Sequence, residues 1–278
     1  QYRQAEELLI KLYAQNDTPK LAIQLGNTRR NLGLVLINLK QLEAAQVVYL
    51  ESAKLFLTLL ANTETRYHSN CRNILSGIYS QLANIATLQE NQDETKRYQN
   101  LVLVYQEKEV AHLEQLFTHD HANRDIRKTL AVTLNNHGTT LIELNILKAR
   151  QPFLRLIDIY QEGAKTDQLT AFDKGMIARG HGNLAWLELL SKNYSESIRR
   201  CRSALEHDSA QEWIHLNLAS AYLCDGQFDM AKQIYTRLMS ESDNPKSFLE
   251  SIEEEFINLK TKGITHPDMK KLLTALAS

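Results

Sequence analysis

Asn217-Leu218-Ala219-Ser220-Ala221-Tyr222, followed by Gly226, Phe228, Ala231 and Tyr235, decides the fold, because the same phrase stands earlier in the chain. At an offset of 34 residues Asn183-Leu184-Ala185 occupies the place of Asn217-Leu218-Ala219. At that offset His181 also meets His215, Tyr194 meets Phe228, Ser197 meets Ala231, and Ala204 meets Leu238. Ile214, Leu218, Ala221 and Tyr222 recur at helix spacing. Asp225-Gly226-Gln227 then reads as a tight turn, with Gly placed to end the helix. Each copy is therefore a helix, a short turn and a second helix.

Looser copies extend toward the start. Leu32-Gly33 with Leu42 and Ala45 is one, Leu82-Ala83 with Ala86 and Thr95 a second, and His137-Gly138 with Leu141 and Leu147 a third. The corresponding residues Leu32, Leu82, His137, Leu184 and Leu218 lie 50, 55, 47 and 34 apart. Added residues predict longer helices or longer connections, at about 1.5 Å of rise per helical residue. Small residues (Gly33, Ala83, Gly138, Ala185, Ala219) let the first helix of a pair approach the second, with Ala45 and Ala231 doing the same from the opposing helix. Tyr194 and Phe228 fill the space between successive copies. One pair cannot bury its apolar face alone, so neighbours must stack.

Period and pattern together resemble the tetratricopeptide superfamily, with His215 in the place of the usual Trp. The resemblance is specific in the last two copies and loose before them. It implies an all-α, right-handed α-solenoid of stacked antiparallel helix pairs, with a repeat array over 1–243 and a capping helix pair over 244–278. Tyr2, Ala5, Leu9 and Leu12 align with the second helix of a repeat, so the array is expected to begin inside a repeat and the chain to be part of a longer protein.

Composition agrees with a helical chain. Gly occurs 10 times and Pro 4 times in 278 residues, below ordinary usage of roughly 7% and 5%. Turn signals at Asn16–Pro19, Asn62-Thr63-Glu64-Thr65, Glu90–Asp93, His119–Asn123 and Asn244-Pro245 separate helical stretches. Gly263 ends a helix, and Thr265 with Asp268 resembles a capping box for the last one. Lys plus Arg number 32 against 33 Asp plus Glu, a net charge of -1. That balance lacks the basic surplus expected of a direct nucleic-acid binder. Cys71, Cys201 and Cys224 are scattered and odd in number, a poor disulfide framework, so a reducing, cytoplasmic setting is expected. The reading finds no signal peptide and no apolar run of about 18 residues, and hence no membrane association.

The candidate binding face comes from one register of the first helices: Asn31, Asn136, Asn183 and Asn217, with Gln81 in the Leu82 copy. Arg30, Asn135 and Arg179 lie nearby on the same helices. Amides in such a row can donate to and accept from an extended peptide backbone, and the arginines can meet a carboxylate. Equally, the amides can bond a neighbouring helix. The later copies lack the lysines of the chaperone-type carboxylate clamp.

Other polar groupings read as structural. His119-Asp120-His121 lacks a fourth ligand, and adjacent loop residues seldom converge on one ion. His68 and Cys71 have no third group to orient them. Gly180-x-Gly182 has no preceding strand and reads as a helix crossing rather than a phosphate loop. Glu253-Glu254-Glu255 reads as a solvated helix face. No cofactor, metal or catalytic residue is expected.

Leu130–Gly138 and Lys262–Pro267 resemble phrases frequent in bacterial arrays of long repeats. Such arrays are often joined to a caspase-like protease or a nucleotide-binding switch. The resemblance implies either a protein- or peptide-binding scaffold or a regulatory region acting on another domain of the same parent chain.

Overall fold

The computed structural model describes residues 2–62, 67–144, 146–163 and 168–277, with side chains of 146 and 147 excepted. The expected turn residues Thr63, Glu64 and Thr65 and the Leu147 side chain lie outside that description. Among the described residues every regular element is an α-helix. The chain forms two compact units, Gln1–His119 and Asp120–Ser278, dividing inside the stretch read as one array.

The first unit contains α1 (Tyr2–Gln15), α2 (Pro19–Asn38), α3 (Leu42–Asn62), α4 (His68–Leu88) and α5 (Gln92–His119). The second contains α6 (Arg124–Leu144), α7 (Ile146–Gly163), α8 (Ala171–Leu190), α9 (Tyr194–His207), α10 (Glu212–Cys224), α11 (Phe228–Glu241), α12 (Pro245–Thr261) and α13 (Asp268–Ala277). Sequential neighbours pack as helix pairs: α2 with α3, α4 with α5, α6 with α7, α8 with α9, and α10 with α11. This is the all-α, tetratricopeptide-like stacking of helical hairpins. The first helices of successive pairs also touch, α6 with α8 and α8 with α10.

One turn recurs in both units. Lys40, Glu90, Lys192 and Gly226 each adopt positive φ, at 57°, 57°, 61° and 78°. The next residue's N–H donates back to a carbonyl in the last helical turn: Gln41 to Leu36 (2.9 Å), Asn91 to Ala86 (2.8 Å), Asn193 to Glu188 (2.9 Å) and Gln227 to Tyr222 (2.9 Å). These bonds satisfy carbonyls that a helix end leaves open, in a Schellman-type stop. Gly263, at φ 76°, ends α12 in the same way. Helix starts use side chains. The Thr18 hydroxyl accepts from Leu21 N beside Pro19, and Thr170 and Asp173 form a reciprocal capping box. At α13 the expected Thr265 cap is replaced by the His266 ring, whose Nδ1 accepts from Asp268 N at 3.3 Å.

Packing follows the small-against-large logic. A Cβ on Gly33 would lie 2.7 Å from the Tyr49 ring, and one on Gly138 would lie 2.5 Å from Phe153. Both aromatics belong to the second helix of the pair and are fully buried. Gly180 is crowded by Leu156 and Ile157 of α7, and Gly182 lies under the Trp213 ring of α10. Gly180-x-Gly182 is therefore a helix crossing on two sides, as its sequence context requires.

Over 18 residues α3 has a mean hydropathy of 1.3, long and apolar enough by length and composition to cross a membrane, which corrects the reading of the apolar runs. Its Ala45, Tyr49, Ala53, Phe56 and Leu59 are buried in the core of the first unit, beside α2 and α4 residues. In the second unit α12 and α13 contribute Phe248, Ile252, Phe256, Leu259, Leu272 and Leu276 to the same apolar core as α8 to α11. α12 and α13 both pack on α11.

Candidate partner-binding surface

The first helices of the second unit bring three of the expected residues, Asn135, Asn183 and Asn217, into one neighbourhood. Asn183 Nδ2 on α8 donates to Asn135 Oδ1 on α6 at 3.1 Å. The α6 partner of Asn183 is therefore Asn135. Asn136, one residue on, is exposed, and its backbone carbonyl accepts from the Thr139 and Thr140 hydroxyls. One residue of a helix turns through about 100°, so a shift of a single position changes the face presented. Arg179 lies one turn before Asn183 and is exposed. Arg30 and Asn31 stand on α2 in the first unit, half-buried. Arg30 acts on Tyr49: burial pushes that phenol up to about 12, with the arginine charge pulling the other way.

Asn183 and Asn217 line a recess of about 260 Å³ together with Trp186, Trp213, Leu216 and Glu255. These are the two tryptophans of the chain. Helical spacing explains the grouping. Trp186 lies three residues after Asn183 and Trp213 four before Asn217, spacings that share a helix face, and Leu216 follows Trp213 by three. Glu255 arrives from α12. The tryptophans were legible as neighbours of the asparagines at i+3 and i−4. Glu255 was not, since nothing local ties α12 to α10.

Glu255 departs from the solvated face read for Glu253-Glu254-Glu255. Glu253 and Glu254 are exposed, whereas Glu255 is half-buried and its Oε1 accepts from the Ser220 hydroxyl at 2.6 Å. Ser220 is fully buried and also bonds the Tyr235 hydroxyl at 2.7 Å. Burial pushes the Glu255 carboxyl up to about 7, against the opposing pull of the Ser220 bond. No ion pair reaches it among the described residues. Asn217 likewise has no side-chain hydrogen bond among the described residues, so its amide is available to a ligand. Trp213 Nε1 donates to Gln211 Oε1 at 3.0 Å.

The repeated histidines face arginines of the second helices. Arg200 Nη1 lies 3.5 Å from His181 Nδ1, and Arg237 Nη2 lies 3.0 Å from His215 Nδ1. Burial first, then the Arg200 charge, lowers His181 to about 4, so it is neutral at pH 7. His215 is held by polar contacts, its Nε2 also lying 3.0 Å from the Ser209 carbonyl.

The other polar groupings separate. His119 ends α5 and Asp120 opens the second unit. No cluster of three metal-ligating side chains occurs among the described residues. Cys71 is fully buried, and burial pushes its thiol up to about 11, the wrong direction for a nucleophile. Cys201 and Cys224 are pushed up in the same way.

No family model matches the sequence, and comparison with curated proteins finds no match. Solved structures do match in fold. BtubC (BKLC) from P. vanneervenii is 15% identical, with 91% of this chain and 89% of that chain covered and a TM-score of 0.56. A tetratricopeptide repeat protein from Parabacteroides merdae is 17% identical, with 100% and 93% covered and a TM-score of 0.48. At 15% identity the likeness to the first of these concerns the fold alone. With paired helices, the recurrent turn and the 34-residue copy all in place, the fold of this chain is tetratricopeptide-like.

Proposed function

We propose that the chain is a protein-binding module that holds an extended peptide segment against the first helices of its second unit. The observation that carries this reading is the recess between α8, α10 and α12, where two indoles, an open amide and a carboxylate converge. Apolar walls with a few placed polar groups are the usual make-up of a ligand site. Tryptophan is also the residue that most often dominates the energy of a protein interface. The Asn135–Asn183 bond fixes one amide against its neighbour and leaves Asn217 to engage a peptide backbone. The setting expected from the buried thiols, a reducing cytoplasm, suits such a module.

A random peptide library displayed on phage and selected against the chain tests the reading. Enriched peptides should bind at least tenfold more weakly to Trp186→Ala and Asn217→Ala, since truncating an interface anchor removes 1.4 kcal/mol or more, about a factor of ten. Enriched peptides whose binding ignores both substitutions would place the binding surface elsewhere.

A further inference from the structure

Resting on that reading, we infer that the recess selects a lysine or arginine side chain of the bound segment, seated between the Trp186 and Trp213 indoles with its charge on Glu255. The lining carries one charged residue, Glu255, and it is negative. Its Oε1 is engaged by Ser220, and among the described residues its other oxygen accepts no hydrogen bond. Among the described residues no arginine or lysine pairs with it, although arginines neutralise the buried carboxylates of Glu109 and Glu188. Arg72 meets Glu109 at 2.9 Å, and Arg150 pairs with Glu188. A carboxylate withdrawn from water without a cation is costly, and a cationic ligand would remove that cost.

The tryptophans also favour a cation. Indole faces attract cations, more strongly where water is excluded. Trp213 is held in place by its bond to Gln211 and by its seat over Gly182. Its ring is therefore positioned before a ligand arrives. The long aliphatic stem of lysine or arginine suits the apolar wall formed with Leu216, and its head suits the carboxylate. An acidic side chain would instead meet Glu255 as a like charge.

The test uses the chain's own reporters, since both tryptophans of the protein line the recess. Peptides of the form acetyl-Ala-Ala-X-Ala-Ala-amide, with X as Lys, Arg, norleucine or Glu, are titrated into the full chain at pH 8 while tryptophan emission is followed. The Lys and Arg peptides should give saturable changes at concentrations about tenfold lower than norleucine, with Glu weakest. Glu255→Gln keeps the shape and the Ser220 bond and should erase the advantage of Lys over norleucine. The same titration at pH 5.5 needs no substitution: protonation of Glu255 should weaken Lys binding severalfold. Cys224 on α10 and Tyr235 on α11, the titratable groups coupled to Glu255, are both shifted upward and stay neutral across that range.

Norleucine binding as tightly as Lys, or Lys binding that survives Glu255→Gln, would overturn the cation assignment while leaving the peptide groove standing. If no short peptide moves the emission but library-selected peptides do, the cation assignment also falls. If neither does, the groove reading falls with it.

Discussion

The first unit and the α8–α11 part of the second are built with the same turn but on different lengths of helix. In the first, Lys40 and Glu90 mark equivalent stops 50 residues apart, between helices of 20, 21, 21 and 28 residues. In the second, Lys192 and Gly226 mark stops 34 residues apart, and α9, α10 and α11 have 14, 13 and 14 residues. The stop and the small-against-large contact just before it define the hairpin, and the helices can lengthen beyond them without changing it. The two regions also treat an inward-facing acid differently, Glu109 being fully buried and Glu255 half-buried. Glu109, between α4 and α5, is held by Arg72 at 2.9 Å and by the Ser69 hydroxyl. Glu255 has Ser220 but no cation. One acid is neutralised by an arginine within the fold, and the other has no cation beside it among the described residues.

Removing the internal cation should have the largest effect. Arg72→Met leaves Glu109 buried at 0% exposure without its partner and should destabilise the first unit by about 3–5 kcal/mol. Urea unfolding followed by circular dichroism measures it. A loss below about 1 kcal/mol would mean that the pair contributes as a surface bridge does.

The helix crossings come next. Gly33→Val drives two methyl groups into Tyr49, and Gly182→Val drives them into Trp213. Each should cost about 1–3 kcal/mol from overpacking. If Gly33→Val were neutral while Gly182→Val was costly, the longer pair would be the more yielding one, which sharpens the contrast between the two regions.

Glu255→Gln should act in the opposite sense and only at higher pH. The folded carboxyl titrates near 7, above its ordinary value. Between about pH 4.5 and 7 the unfolded chain therefore holds fewer protons than the folded one, and stability falls as pH rises through that window. The substitution should leave stability at pH 5 nearly unchanged and add about 1–2 kcal/mol at pH 8. Thermal melts at the two pH values check the sign.

The smallest effects belong to the turns. Lys40→Gly and Lys192→Gly each relieve a non-glycine residue held at positive φ, and each should stabilise by up to about 1 kcal/mol. Gly226→Ala should cost a similar amount. Equal and opposite shifts in these variants would establish that the three stops are one motif.

The turns also show where reading the chain succeeded. Glycine and proline betray a turn when the chain uses them, so Asp225-Gly226-Gln227 and Asn16–Pro19 are plain in the sequence. The stops at Lys40 and Lys192 carry neither residue and left no local signal. Their positive φ goes with the same returning backbone bond as at Gly226. The capping at α13 failed for a similar reason. Thr265 has the right chemistry and spacing, but the chain path brings the His266 ring to the open N–H instead.

The candidate face was half legible. Its asparagines stand out because they recur beside the repeat motif, and the tryptophans share their helical face. The α6 partner was displaced by one residue because Asn135 and Asn136 are adjacent and chemically identical, and only contact with Asn183 tells them apart.

What the sequence alone determined was the element: a helix, a stop, a second helix and a 34-residue period, all set by local periodicity and by small residues facing large ones. What only tertiary structure decided was the company each residue keeps. The split into two units, the choice of Asn135, the recess around both tryptophans and the uncompensated charge of Glu255 all depend on contacts between distant segments. Such contacts leave no periodic trace, because a helix carries the same local pattern whether its exposed face meets water, a neighbour or a ligand.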